Sequence, residues 1–551
     1  MSTLLFLDTE SSAYHNHTAM ANLVVQQFMR EITSPRAWFL LLVPLFLLLA
    51  RRLLATFLSG NHQRTRKQQQ DDHHRLPPSP PALPVLGHLH LVGSVPHVSL
   101  RSLAKNHGHD IMLLRLGAMP VIVVSSPRAA EAVLRTHDHV FASRPHSVVA
   151  EVVLYGPSDI GFAPYGEYWR QARKLVTTHL LSVKRIQAFH LAREEEVRRV
   201  MGQISEAAAA GAAVNVGELL GSFTNDLACR AVMGESFRSE GRNKLFRQLV
   251  VDTSPLLGGF NVEEFFPFLA RFGVISKVVR TKSERLRRRW DELLDRLIQD
   301  HEDEASASAA ASDSDDFIHV LLSVRQEYGL TREHMKAILL DVFFGAIDTE
   351  ASVLEYAMVE LMRRPDAMKK LQAEVRATVP KEQELVSEAD LSSMAYLRAV
   401  IKESLRLHPV APLLAPHLSM SSCDDVVDGV VVPAGVRVLV NVWAIGRDPR
   451  FWDDDAEAFV PERFLDGGGA ADVSFRGTDF QYLPFGAGRR MCPGMNFGLA
   501  TVELMLANLM HRFDWELPAG KTGRDIDMSE VFGLVVHRKK KLLVVPKLQA
   551  S

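Results

Sequence analysis

Phe485-Gly486-Ala487-Gly488-Arg489-Arg490-Met491-Cys492-Pro493-Gly494 sets one cysteine in a loop rich in glycine and arginine, directly before the apolar run Phe497-Gly498-Leu499-Ala500. That run reads as a helix. A thiolate at Cys492 would sit near the helix N-terminus, where backbone N–H groups and cationic side chains stabilise its charge. Two readings stay open on these residues alone: an anionic, hydrogen-bonded sulfur fit to ligate iron, or a free cysteine buried as a small apolar side chain.

The chain has 551 residues, ordinary apolar content and a formal net charge of −2 with pI near 6.9. So even a balance argues against nucleic acid as the main partner, because phosphate binding needs a basic excess. Cys229, Cys423 and Cys492 are the three cysteines. They form no disulfide framework and no zinc-type spacing, so the folded part reads as cytosolic and reduced.

Residues 37–50 (AWFLLLVPLFLLLA) are unbroken apolar, and the run continues past Arg51-Arg52 to Leu58. Counting through to Leu58 reaches the ~20 residues a bilayer needs, with the arginines snorkelling to headgroups. Arg64, Arg66 and Lys67 follow, and this positive flank predicts a retained anchor helix over 37–58 with the body in the cytosol. A cleaved signal peptide is the rival reading. Residues 1–36 read as a polar extension with Met20 and Met29 as alternative starts, and Asn16-His17-Thr18 as a glycosylation triplet. Residues 59–80 read as a basic, proline-rich linker whose Leu76–Pro84 stretch stiffens into a spacer.

From residue 81 to 548 the pattern is one large domain, mainly helical with small β-sheets (an α+β architecture). Strands are expected at Ile111–Leu116, Val121–Val124, Val436–Val442 and Leu542–Val545. His301–Asp316 is acidic and serine/alanine-rich and reads as a solvated surface loop. Thr331 is a plausible N-cap for a helix running to about Met362. Mid-helix stands Phe344-Gly345-Ala346-Ile347-Asp348-Thr349-Glu350. Its two small residues leave room for a flat ligand, a local widening of the helix would fit there, and Asp348 with Thr349 offers an acid and a hydroxyl for proton delivery. An ordinary helix with one polar turn is the competing reading. Glu403 and Arg406 place opposite charges at i and i+3, with Arg463 later as a third partner. Trp169 and Arg173 share one helix face.

Together these motifs resemble the cytochrome P450 family. Phe-x-x-Gly-x-Arg-x-Cys-x-Gly matches its haem-binding loop over Phe485 to Gly494, and Ala346 stands where the oxygen-activation motif usually has glycine. Phe141-Ala142-Ser143-Arg144-Pro145, Phe162 to Arg170 and Asp448-Pro449 look like the plant A-type microsomal group. The resemblance implies a single haem domain behind the anchor, with haem (heme b) held by the Cys492 thiolate as the metal ligand. It implies that Phe485 packs beside the sulfur, that Gly494 and the other loop glycines let the backbone approach it, and that Arg490, Trp169 and Arg173 reach the haem propionates. His417 follows Pro416 where many relatives carry Pro-Arg, and reads as a weaker, pH-dependent donor or as a surface histidine. Asp348 and Thr349 would organise protons, and Glu403, Arg406 and Arg463 would form the structural triad.

The implied reaction is insertion of one oxygen atom from O2 into a small lipophilic specialised metabolite (terpenoid, phenylpropanoid, indole or similar). Electrons would come from NADPH through NADPH-cytochrome P450 reductase, with cytochrome b5 as a second donor, at the endoplasmic reticulum membrane. No Rossmann or Walker loop is present, which agrees with a separate reductase. Arg170, Arg173, Lys174, Lys184, Arg185, Arg489 and Arg490 would form its docking face. Substrate walls are expected from residues 147–161, 255–268, 344–347, 410–414 and 532–535. A non-oxygenating haem-thiolate isomerase or dehydratase, and a non-catalytic haem-binding sensor, are the alternatives.

Overall fold

One helix organises the fold: the segment after Thr331, around which the other helices pack. The computed structural model describes residue 48 and residues 76–549, apart from 157, 235–241, 259–261, 267–273, 308–315 and 381. The extension and anchor expected over 1–58 lie outside the described residues except for residue 48. No helix among the described residues is long and apolar enough to cross a membrane. Residues 76–551 form one unit. Within it, Leu113 N donates to Pro78 O at 2.9 Å and His88 Nε2 bonds Pro80 O at 2.8 Å, so the proline-rich segment lies hydrogen-bonded along the domain.

Among the described residues nine strands form three small sheets: β1 (Ile111–Leu116), β2 (Met119–Val124), β3 (Val214–Asn215), β4 (His417–Leu418), β5 (Arg437–Val440), β6 (Phe513–Glu516), β7 (Glu530–Val531), β8 (His537–Arg538) and β9 (Leu543–Leu548). The largest has the order β1-β2-β5-β4, with β2 and β5 parallel and Val121 opposite Arg437. β2 and β5 are valine-rich and buried along most of their length, as a strand covered on both faces requires.

The helices that position the site are α1 (Pro96–His107), α2 (Glu167–Leu175), α3 (His190–Ala209), α4 (Val216–Met233), α5 (Arg242–Gly258), α6 (Val262–Phe265), α7 (Val274–Ala307), α8 (Phe317–Ser323), α9 (Arg332–Arg363), α10 (Pro365–Thr378), α11 (Ala395–Leu407) and α12 (Met495–Arg512). Thr331 caps α9 through a capping box with His334. α9 is apolar nearly all round because it is covered nearly all round. Leu354, Met358 and Leu361 pack with Leu220 and Phe223 of α4 and Met505 of α12, while Phe343 stacks on Phe246 of α5 at 4.0 Å. Each such side chain contributes about 1.5–3 kcal/mol on burial.

Two expectations need correction. α9 is α-helical without interruption through Asp348, so it carries no widened turn there. The i→i+5 turns occur at residues 132–136 and 176–180, closed by His137 N→Ala132 O and Leu181 N→Val176 O. Nor is His301–Asp316 a solvated loop throughout. α7 continues to Ala307, and His301 and Asp316 are buried. Asp316 caps α8 and bonds His319 Nδ1 at 2.6 Å, an interaction that composition alone does not reveal.

Beneath the cysteine loop, Glu403 and Arg406 of α11 and Arg463 meet with no solvent exposure at the first two. Glu403 accepts from Arg406 Nε (2.6 Å) and Nη2 (2.8 Å), from Arg463 Nε (3.0 Å) and from Val460 N (2.8 Å). Arg406 also donates to the carbonyls of Gly446, Ala456 and Ala458, tying two separate segments to one helix. Every charge in the cluster is paired and hydrogen-bonded, which is the condition for burying charge without a large penalty.

Candidate functional site

The loop before α12 folds back through Cys492 N→Phe485 O at 2.9 Å. Gly488 has φ +65°, and a Cβ there would lie 2.1 Å from Leu134 O, so both conformation and space exclude other residues. The amides of Gly494 and Met495 hydrogen-bond the Cys492 thiol. Burial pushes that thiol upward from its ordinary pKa, while the two amides and Arg173 pull it back toward the thiolate. Cys229 and Cys423 are buried; Cys492 keeps accessible surface although it lies deep in the fold, so its sulfur faces a recess. Phe485 meets Phe475 edge-on at 5.7 Å.

Around this loop gathers a buried cationic cluster. Trp169 Nε1 donates to Ile160 O at 3.0 Å, and Arg490 lies over its ring at 4.2 Å. Arg490 donates to the carbonyls of Ala142, Ile160 and Ala163; Arg173 donates to Met491 O. Arg144 donates to the carbonyls of Gly161, Ala415 and Pro416. Burial, then the neighbouring Arg144, lowers Arg490 to about 9; burial lowers Arg144 to about 10. The nearest acids do not compensate. Burial raises Asp159 well above the carboxylate range and Asp341 to about 7. Three guanidiniums with no carboxylate in ion-pair contact among the described residues fit a group that brings two carboxylates, as haem does.

His417 lies in β4, only 4% exposed, so it is not a surface histidine. Its Nδ1 is 2.8 Å from Phe141 O, which assigns the proton to Nδ1 and leaves Nε2 an acceptor in the neutral ring. Burial, with Arg144 next, lowers its pKa to about 3, so no titration falls near neutral pH and the expected pH dependence is corrected.

On α9, Gly345 faces open space and Thr349 Oγ1 donates to Gly345 O at 2.5 Å, so the two form one open face. Asp348 points elsewhere: its Oδ2 lies 3.6 Å from Nε2 of His537, whose side chain is 41% exposed. Ser352 Oγ lies 3.2 Å from His537 Nδ1. Glu350 is buried between α9 and Gly498 of α12, its Oε2 without a hydrogen-bond partner among the described residues, and burial raises it to about 8. Sequence reading missed His537 and the Asp159–Asp341 pair. Glu350 and Arg144 were visible only inside the quoted Phe344–Glu350 and Phe-Ala-Ser-Arg-Pro phrases, with no role assigned.

A cavity of about 800 Å³, counted out to its open mouth, lies against the β1-β2-β5 sheet. Ser147, Phe162, Leu257, Leu413, Leu414 and Phe532 stand in its wall, so four of the five expected segments contribute. Residues 344–347 and Cys492 are not in its lining. Of the expected basic face, Arg170, Lys174, Lys184 and Arg489 are exposed, while Arg173 and Arg490 turn inward.

Residues 77–545 match the family described as Cytochrome P450. The chain belongs to the cytochrome P450 family. It is similar to indole-2-monooxygenase of Zea mays (54% identity, covering 85% of this chain and 87% of the relative) and to Indolin-2-one monooxygenase of Zea mays (52%, 86% and 89%). A zebra fish cytochrome P450 solved with abiraterone superposes with TM-score 0.67 at 25% identity, covering 83% of this chain and all of that one. The fold is that of the P450s, and the protein is a plant class II monooxygenase of specialised metabolism. Its cofactor is haem with cysteine-thiolate ligation, reduced from NADPH through a reductase.

Proposed function

We propose that this P450 oxygenates a small bicyclic nitrogen heterocycle of the indole or indolin-2-one type. The observation that carries this reading is the 54% identity, over 85% of the chain, to a relative named for indole oxygenation. A mainly apolar cavity against the β1-β2-β5 sheet supports it.

Cys492 is the iron ligand, with the Gly494 and Met495 amides holding its charge. Arg144, Arg173 and Arg490 receive the propionates, and Trp169 supports the Arg490 plane. His417 is oriented by Phe141 O and stays neutral, so the propionate contacts fall to the three arginines. Phe485 and Gly494 shape the loop. Bound haem supplies the iron at which O2 is activated for transfer of one oxygen atom. Thr349 presents its hydroxyl on the open face beside Gly345, and Asp348 exchanges protons with solvent through His537. The exposed Lys174, Lys184, Arg170 and Arg489 steer an acidic reductase. Residues 37–58 anchor the protein in the endoplasmic reticulum membrane, and Glu403, Arg406 and Arg463 retain the fold around the haem.

The test is reconstitution of the full chain with reductase, NADPH and either indole or indolin-2-one. Substrate-dependent NADPH use, with one labelled oxygen atom from O2 in the product, is expected; turnover of neither ring would overturn the reading. Cys492→Ala is expected to lose the thiolate-type spectrum of the reduced, carbon-monoxide-bound protein. Conversion without NADPH would favour an isomerase.

A further inference from the structure

The cavity wall is mainly apolar. Among its described lining residues only Glu264 and Arg437 are charged, and they bond each other, Arg437 Nη2 to Glu264 Oε2 at 2.8 Å. Both side chains are about nine-tenths buried, at 10% and 9% exposure. The guanidinium also stands 5.8 Å from the Phe265 ring. Yet Arg437 Nε is buried and has no hydrogen-bond partner among the described residues. A donor buried in this way forfeits its water without recovering a bond.

The arm cannot easily turn to satisfy itself. Arg437 sits in β5 between Val121 of β2 and Leu418 of β4. Its partner Glu264 sits on α6, which is held against the β1–β2 turn by Ala118 N→Phe265 O at 2.8 Å. Gly117 permits that approach: with φ +63°, its Cβ would lie 2.4 Å from Phe265 O.

We propose that Arg437 and Glu264 form a polar subsite in the substrate cavity, in which the Arg437 guanidinium donates to a neutral oxygen acceptor, a carbonyl or hydroxyl, on an otherwise apolar ring. Glu264 cancels the guanidinium charge, so the subsite takes a neutral oxygen in preference to a carboxylate, which would leave a net anion in an apolar wall. This rests on the oxygenase reading and narrows it toward substrates that already carry one oxygen.

The experiment is equilibrium titration of the full-length holoprotein, followed by the shift of its Soret band, with indole (no acceptor) and indolin-2-one (a lactam carbonyl). Indolin-2-one is expected to bind about tenfold more tightly. Arg437→Lys keeps a cation opposite Glu264 and removes the guanidinium's donor fork; it is expected to bring the two dissociation constants within about twofold. Arg437→Gln is the second variant, and the carbon-monoxide spectrum reports whether each is folded. Equal affinities in the wild type, a preference retained in a folded variant, or no binding of either ring would overturn the subsite. The NADPH and labelled-oxygen assay judges the oxygenase reading separately, since oxygenation without a binding preference sinks the subsite alone.

Discussion

Asp348 and Thr349 are adjacent in the chain and look in different directions, because consecutive helical residues are about 100° apart. Thr349 shares the open face with Gly345 one turn earlier; Asp348 meets His537 from the C-terminal hairpin. A half-exposed imidazole beside a buried carboxylate links solvent to α9. His537→Gln is therefore expected to lower turnover about tenfold with the substrate dissociation constant unchanged and a larger solvent isotope effect. Equal turnover in both proteins would remove His537 from the route. Glu350 allows a second check. Its pKa in the fold is about 8 against an ordinary 4.5, so the folded protein binds the extra proton between those values. Its contribution to stability is full below the ordinary value and is lost as pH rises through about 8. Glu350→Gln is expected to flatten the fall in melting temperature between about pH 5 and pH 8 relative to the wild type. Parallel pH profiles would contradict this.

At the scale of the element, the cysteine loop depends on backbone shape more than on side-chain chemistry. Gly488 combines a left-handed φ with a close approach to Leu134 O in one of the widened turns. Gly488→Ala is expected to displace the loop from that turn and cut haem incorporation severely, read as the ratio of Soret to protein absorbance. Normal incorporation would show that the loop adapts. The capped start of α9 was legible because an N-cap is local, its donor three residues from its acceptor. The widened turns were not, since i→i+5 closure has no strong local sequence mark. The buried Asp316–His319 bond was hidden by the acidic composition of its neighbours.

For the whole molecule, the Glu403–Arg406–Arg463 cluster joins α11 to Gly446 and to the 456–463 segment. Glu403→Ala leaves two arginines without their shared carboxylate, and a loss of about 3–5 kcal/mol is expected in denaturant unfolding. A loss under about 1 kcal/mol would mean that the backbone carbonyls alone hold Arg406 and Arg463.

The chain's own order of motifs determined the family, the mainly helical body, the four strand segments and the cysteine that matters. Such features rest on local spacing, which a sequence displays directly. Tertiary structure alone decided which side chains share a burial environment. It brought Arg144, Arg173 and Arg490 together around the cysteine loop, buried His417, turned Asp348 toward His537 and faced Arg437 with Glu264 across a mainly apolar wall. Burial and long-range pairing set the electrostatics of a site, and neither is a property of neighbouring residues in the chain.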